Sequence, residues 1–205
     1  MVIIRKERMS KTFLSGRIIK RYDIPLKEIE ELNNAFDKSK NNLEDKGAKL
    51  AGRIDTELSV TDFVPKLLIY ETIKKYMNDY LMSLNHFGLS NNPICDINIT
   101  SMWINDMQPY EYNPPHTHHD NTGWSSVMFL KVPEFINDAK DPHKYKDGFL
   151  GFTDVNGTNC TWMEPKVGHF YIFEARHQHC VMPFKVKNKG DIRRSMSFNF
   201  IQKFV

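Results

Sequence analysis

No run in this 205-residue sequence approaches the roughly eighteen consecutive apolar residues of a membrane span. Cysteine is scarce: the three, Cys95, Cys160 and Cys180, are odd in number and form no Cys-x-x-Cys pair. They read as buried thiols in a reducing compartment rather than as a disulfide framework, so a cytoplasmic location is expected. Neither sign of charge dominates. Against 28 Lys and Arg stand 25 Asp and Glu, and a net charge of +3 is too small to argue for nucleic acid as a main partner. No membrane partner is expected either. No internal repeat is visible and nothing marks a second domain; the length suits a single domain, 1–205, with a substantial core. A secretory h-region is also missing. Residues 1–21 do hold seven Lys and Arg against one acid, Glu7, as a transit peptide would, but residues 16–25 read better as an edge strand followed by a turn.

What is present is an ordinary globular composition, 40% hydrophobic and 26% charged. Pro25 opens a helix in which Leu26, Ile29, Leu32, Asn33 and Phe36 recur at helical spacing. Residues 37–52 turn polar and basic, and Lys38, Lys40, Lys46 and Lys49 read as a solvated face. After a loop at 50–61, Thr61 or Asp62 is placed to cap a second helix running to about Asn85. Its stripe of Phe63, Leu67, Tyr70, Ile73, Met77, Tyr80, Leu81 and Leu84 is suited to covering a sheet.

Residues 91–205 are β-rich. Strands are expected at 97–105, 126–130, 148–153, 158–163, 168–173 and 193–204. Asn156-Gly157 predicts a type I′ hairpin turn, and residues 132–147, with Pro133 and Pro142, an exposed insertion. Short strands at this spacing suggest an α+β, mainly β fold: a double-stranded β-helix, or jelly roll, with the two N-terminal helices packed against one sheet.

The chemistry concentrates in Pro114-Pro115-His116-Thr117-His118-His119-Asp120-Asn121. In an extended backbone, side chains at i and i+2 leave on one face, so His118 and Asp120 point together and His119 points away. A His-x-Asp pair supplies two ligands of the 2-His-1-carboxylate triad that leaves open positions on a non-haem Fe(II). The third ligand should come from a distant strand, and His177 and His179, themselves two residues apart, both qualify. His116 shares the face of His118 and competes as a ligand, in the manner of a cupin His-x-His.

The order His118-x-Asp120-Asn121, strand 126–130, Gly168-x-x-x-x-Phe173, His179-x-Val181-x-Pro183, Arg194-x-x-Ser197-Phe198-Asn199 resembles the Fe(II)/2-oxoglutarate-dependent dioxygenase superfamily. The likeness is to its prolyl-hydroxylase-like branch, especially small phage and bacterial members, and covers about residues 95–203. The resemblance implies His118, Asp120 and His179 as iron ligands, and Arg194 as partner of the far carboxylate of 2-oxoglutarate. It places Asn105 and Phe129 at further cosubstrate positions, and Arg193 on the opposite, solvent-facing side of its strand. The implied activity is a hydroxylase using Fe(II), 2-oxoglutarate and dioxygen on a C–H bond of a peptide prolyl or other side chain, or of a small molecule, releasing succinate and carbon dioxide.

Two positions depart from the pattern. Phe129 stands where related prolyl hydroxylases often carry Tyr, and Met196 where many members place Ser two residues after the Arg. Asn105 or Thr100 could replace the lost hydroxyls. Two other readings compete: a cupin-like metalloenzyme using His116, His118 and His179 without 2-oxoglutarate, and a non-catalytic jelly-roll binding module.

Overall fold

A computed structural model describes residues 10–14, 17–86, 96–118, 122–136, 146–154 and 156–203. The strands among them are Ser10–Leu14 (β1), Ile18–Asp23 (β2), Glu57–Ser59 (β3), Asp96–Met107 (β4), Asn113–His116 (β5), Trp124–Lys131 (β6), Leu150–Thr153 (β7), Cys160–Met163 (β8), His169–Glu174 (β9), His179–Val181 (β10) and Arg193–Lys203 (β11). They form two antiparallel sheets. One has seven strands in the order β1-β2-β9-β6-β11-β4-β3; the other has four, β5-β10-β7-β8. This is the jelly-roll architecture that the strand spacing suggests.

Because side chains alternate along a strand, each central strand of the large sheet serves two cores. Met102 and Ile104 of β4, Met128 and Leu130 of β6, Phe170 and Ile172 of β9, and Met196, Phe198 and Phe200 of β11 face one core. Helix α1, Leu26–Ser39, and helix α2, Ile69–His86, close that core with Leu32, Phe36, Ile73, Met77 and Tyr80. The opposite face presents Met107, Val127, Phe129, Tyr171 and Phe173 to the small sheet's Leu150, Phe152, Met163 and Val181. Strands with both faces buried read as near-continuous apolar runs, as β6 and β9 do.

Helix α2 begins at Ile69, later than its predicted cap. Thr61 does not cap it: its hydroxyl donates to the Met102 carbonyl and accepts from the Met102 N–H at 3.0 Å, so the residue extends the sheet edge. A short 3-10 turn, Val64–Lys66, intervenes, with Pro65 suited to its start. Pro114 and Pro115 lie in β5, which is an edge strand where the missing N–H groups cost little. In the β7–β8 connection the Gly157 N–H reaches the Asp154 carbonyl at 3.0 Å, so Gly157 closes the turn instead of sitting at its centre. Asp154 organises the loop, its carboxylate accepting from the N–H groups of Asn156 and Thr158. The middle of the predicted insertion, 137–145, with His143, lies outside the described residues; so do Cys95, His119, Asp120 and Asn121.

Candidate functional site

The edge strand β5 and its neighbour β10 bring the histidines together. His116 and His179 are direct cross-strand partners, and His118 follows β5 by two residues, its backbone N–H donating to the Ala175 carbonyl. One ring nitrogen from each of His116, His118 and His179 lies within 4.8 Å of the others. His179 Nδ1 is 2.8 Å from the His177 carbonyl and His116 Nδ1 is 2.8 Å from the Pro114 carbonyl. Both Nδ1 atoms must therefore carry the proton, which leaves Nε2 as the ligand atom of each ring. Burial pushes His179 well below its ordinary range, reinforced by His116 and His118, and so keeps it in the neutral form that a metal requires.

His118 is held from two sides: Ser125 Oγ is 2.8 Å from its Nε2 and Asn199 Nδ2 is 3.2 Å from its Nδ1. Asn199 Oδ1 meanwhile is buried without a partner. Turning that carboxamide end for end lets Oδ1 accept from His118 Nδ1–H, since amide orientation is set by the hydrogen-bond network. Nε2 then either accepts from the Ser125 hydroxyl or binds a metal. The donor set, three imidazoles, suits a divalent first-row ion. His177 stands one layer back, its own Nε2 2.9 Å from the Thr153 carbonyl. His169 is distant from this group, near Asp23 and Tyr171. Asp120, the expected carboxylate ligand, lies outside the described residues.

Two connected spaces adjoin the histidines. A cleft of about 400 Å³ is lined by Trp103, Asn113, His116, His118, Asn199 and Glu57, with Lys46 and Lys49. A narrow inner chamber of about 30 Å³ reaches His179, Asn105, Arg193, Ser195 and Ser197, with Ile54, Met107, Val127 and Leu150 as apolar walls.

The two arginines exchange their expected places. Arg194 faces the helices. Its Nε and Nη2 grip Asp106 at 2.5 and 2.7 Å, Nη2 also reaches Asp37 at 2.8 Å, Nη1 donates to Asn33, and its guanidinium lies over the Phe36 ring. Arg194 holds Asp37 at about 2, well below the usual carboxylate range. Arg193, expected at the surface, is 0% exposed and faces the inner chamber. Its Nε donates to the Gly148 carbonyl, its Nη1 lies 3.4 Å from Ser195 Oγ, and its guanidinium sits 4.8 Å from the centre of the Phe129 ring. No carboxylate pairs with it among the described residues, Nη2 has no partner, and burial lowers its pKa to about 9.

A one-residue change of register flips every side chain of a strand, which is the whole difference between the two arginines. The register also removes one supposed departure. Ser195 stands two residues after Arg193 on the same face, whereas Met196 belongs to the core beneath the helices. Of the expected cosubstrate positions, Asn105 lines the chamber with its Oδ1 unpartnered, and Phe129 lies beneath Arg193. Thr100 instead donates to the Asn199 carbonyl, in an exposed setting.

Residues 101–199 match the family described as "Putative 2OG-Fe(II) oxygenase", a segment that contains the three histidines, Asn105, Arg193, Ser195 and Asn199. That segment belongs to the 2OG-Fe(II) oxygenases. The oxygenase fold extends beyond it. A prolyl-4-hydroxylase from Pseudomonas putida superposes with a TM-score of 0.58 at 15% identity, over 96% of this chain and 94% of the other. A viral collagen prolyl hydroxylase from Paramecium bursaria Chlorella virus-1, solved with 2OG, gives 0.58 at 16% identity over 94% and 96%. A Trichoplax adhaerens prolyl hydroxylase bound to a hypoxia inducible factor peptide gives 0.51 at 15% identity over 86% and 78%. No curated protein matches the chain. The oxygenase therefore uses Fe(II) and 2-oxoglutarate, as the sequence resemblance implies.

Sequence reasoning passed over Arg193, Ser125, Asn199 and Glu57 as site residues. The signal for Arg193 and Asn199 was present: Arg193, Ser195, Ser197 and Asn199 alternate with Met196, Phe198 and Phe200, so the polar face of β11 marks the site. Nothing local in the sequence marks Glu57.

Proposed function

We propose that this oxygenase hydroxylates a C–H bond on a peptide side chain or small molecule, with iron held by His116, His118 and His179 and 2-oxoglutarate anchored by Arg193. The observation that carries the reading is the buried guanidinium of Arg193, without a counter-charge among the described residues, in the chamber that also holds the histidines. An isolated buried cation is costly, and a carboxylate entering the chamber would supply its missing partner.

Each residue has a definable part. Arg193 offers a planar fork that can pair bidentately with the far carboxylate, which Lys could not. Phe129 fixes the plane of that fork, and Ser195 and Asn105 add polar contacts along the same wall. Ile54, Met107, Val127 and Leu150 exclude water, which strengthens the charge pairing inside. His177 and Pro114, through their carbonyls, hold two imidazoles in the ligating tautomer. When bound, the iron supplies dioxygen activation coupled to decarboxylation of 2-oxoglutarate to succinate. The cleft over His116 and His118 is where the substrate would lie, and a prolyl side chain is among the candidates.

The test is an anaerobic titration of the apo-protein with Fe(II) and then 2-oxoglutarate, following the weak visible charge-transfer band of the chelate. The band should form with the native protein, fail with Arg193→Ala, and require His116, His118 and His179. A cupin-like enzyme without 2-oxoglutarate would bind iron and give no band at any 2-oxoglutarate concentration.

A further inference from the structure

Glu57 is a carboxylate out of place. It lies on β3, the edge strand of the large sheet, as the cross-strand partner of Asn105, and so shares the face of the site. It is 1% exposed, lines the cleft over His116 and His118, and neither of its oxygens has a hydrogen-bond partner among the described residues. The surrounding charges do not compensate it. Asp45 and Glu111 are close enough to repel it, and burial together with these two acids raises its pKa to about 7. Both neighbours are satisfied where they stand: Asp45 accepts from the Gly47 N–H, and Glu111 from the N–H groups of Asp55 and Gln108. Lys46 and Lys49 line the same cleft, but their ammonium groups pair with Glu44 at 2.8 and 3.4 Å. Fully buried Glu is rare unless paired, and a buried polar group without a partner calls for a ligand.

We propose that Glu57 is the substrate-recognition residue of the oxygenase, taking an ammonium or guanidinium group of the substrate beside the iron site. This rests on the reading of the histidine and Arg193 chambers as an oxygenase centre. A basic group entering the cleft would neutralise Glu57 and relieve the repulsion from Asp45 and Glu111, so the site favours a cation over its neutral isostere. A carboxylate that merely completed the fold would have found a donor within the chain. The substrate class is therefore a peptide or small molecule with a lysine-like or arginine-like side chain, presented next to the C–H bond that is oxidised.

The experiment is calorimetric titration of N-acetyl-arginine methylamide, N-acetyl-lysine methylamide and neutral N-acetyl-citrulline methylamide into the Fe(II)- and 2-oxoglutarate-loaded protein without oxygen. At least one basic probe should bind at least about tenfold more tightly than the citrulline probe, and Glu57→Gln should erase that difference. The isosteric Gln variant keeps the shape of the cleft, and its charge-transfer band should equal that of the native protein, showing that the centre is intact. Equal binding of basic and neutral probes, no binding of any, or a preference that survives Glu57→Gln each overturns the proposal. If the basic preference appears and depends on Glu57 while no 2-oxoglutarate band forms, the cation site stands and the cosubstrate assignment falls.

Discussion

Arg193 and Arg194 are adjacent on β11, yet their guanidinium groups lie on opposite faces of the seven-stranded sheet. Arg194 is enclosed by two carboxylates and a carboxamide that fasten α1 to the sheet, while Arg193 is enclosed by a carbonyl, a hydroxyl and an aromatic ring. One is a structural ion pair and the other a buried cation with no carboxylate partner among the described residues.

The two arginines should separate by assay. Arg193→Ala should abolish the 2-oxoglutarate band with a smaller loss of stability than Arg194→Ala, because it removes a buried cation that has no counter-charge among the described residues. Arg194→Ala strips the partner from Asp106, whose side chain is 8% exposed, and should cost about 3–5 kcal/mol of stability. Urea unfolding beside the anaerobic titration reads both. A stable Arg194→Ala variant that binds Fe(II) but no 2-oxoglutarate would restore the cosubstrate role to Arg194.

Iron affinity should follow the three histidines. His116→Ala and His179→Ala should each abolish Fe(II) binding measured by equilibrium dialysis. The opposite result, with His116 dispensable and Asp120 required, would return the site to the 2-His-1-carboxylate set expected from His118-x-Asp120.

Glu57 gives a pH signature. Its folded-state pKa of about 7 lies above the ordinary 4.5, so the folded protein keeps a proton that the unfolded chain releases between those values. Stability attributable to this group therefore falls as pH rises through that window, and Glu57→Gln should not share the loss. The stability gap between variant and native protein should be near zero below about pH 4.5 and reach on the order of 3 kcal/mol above about pH 7. Thermal melts across that range decide it, and a gap independent of pH would show that Glu57 is not buried as a lone acid.

Gly123 stands immediately before β6. Its φ is +69°, its carbonyl accepts from the Ala175 N–H, and a Cβ there would run into the Phe200 carbonyl and the Ile201 side chain. Gly123→Ala should cost more than about 2 kcal/mol, from left-handed strain plus backbone contact. Because Ala175 bonds through its backbone both to the Gly123 carbonyl and to the His118 N–H, Fe(II) affinity should fall as well. Chemical denaturation and metal titration on the same variant test both effects.

The sequence by itself determined the architecture and the metal cluster's parts. The helical spacing of Leu32 and Phe36, the apolar runs of β6 and β9, and the clustered histidines are all local patterns, and local patterns are what periodicity reports. Thr61 shows where that stops: a fair cap by spacing, it was claimed by the Met102 backbone, a partner distant in sequence. The face of each arginine was decided by strand register, which depends on pairing with β4 and β6 and which a single residue inverts. Glu57 lay further beyond reach. Its burial, its lack of a partner and its place over the histidines arise only when an edge strand, a loop of lysines and a distant histidine cluster close around one space, since desolvation belongs to the surroundings and not to the residue.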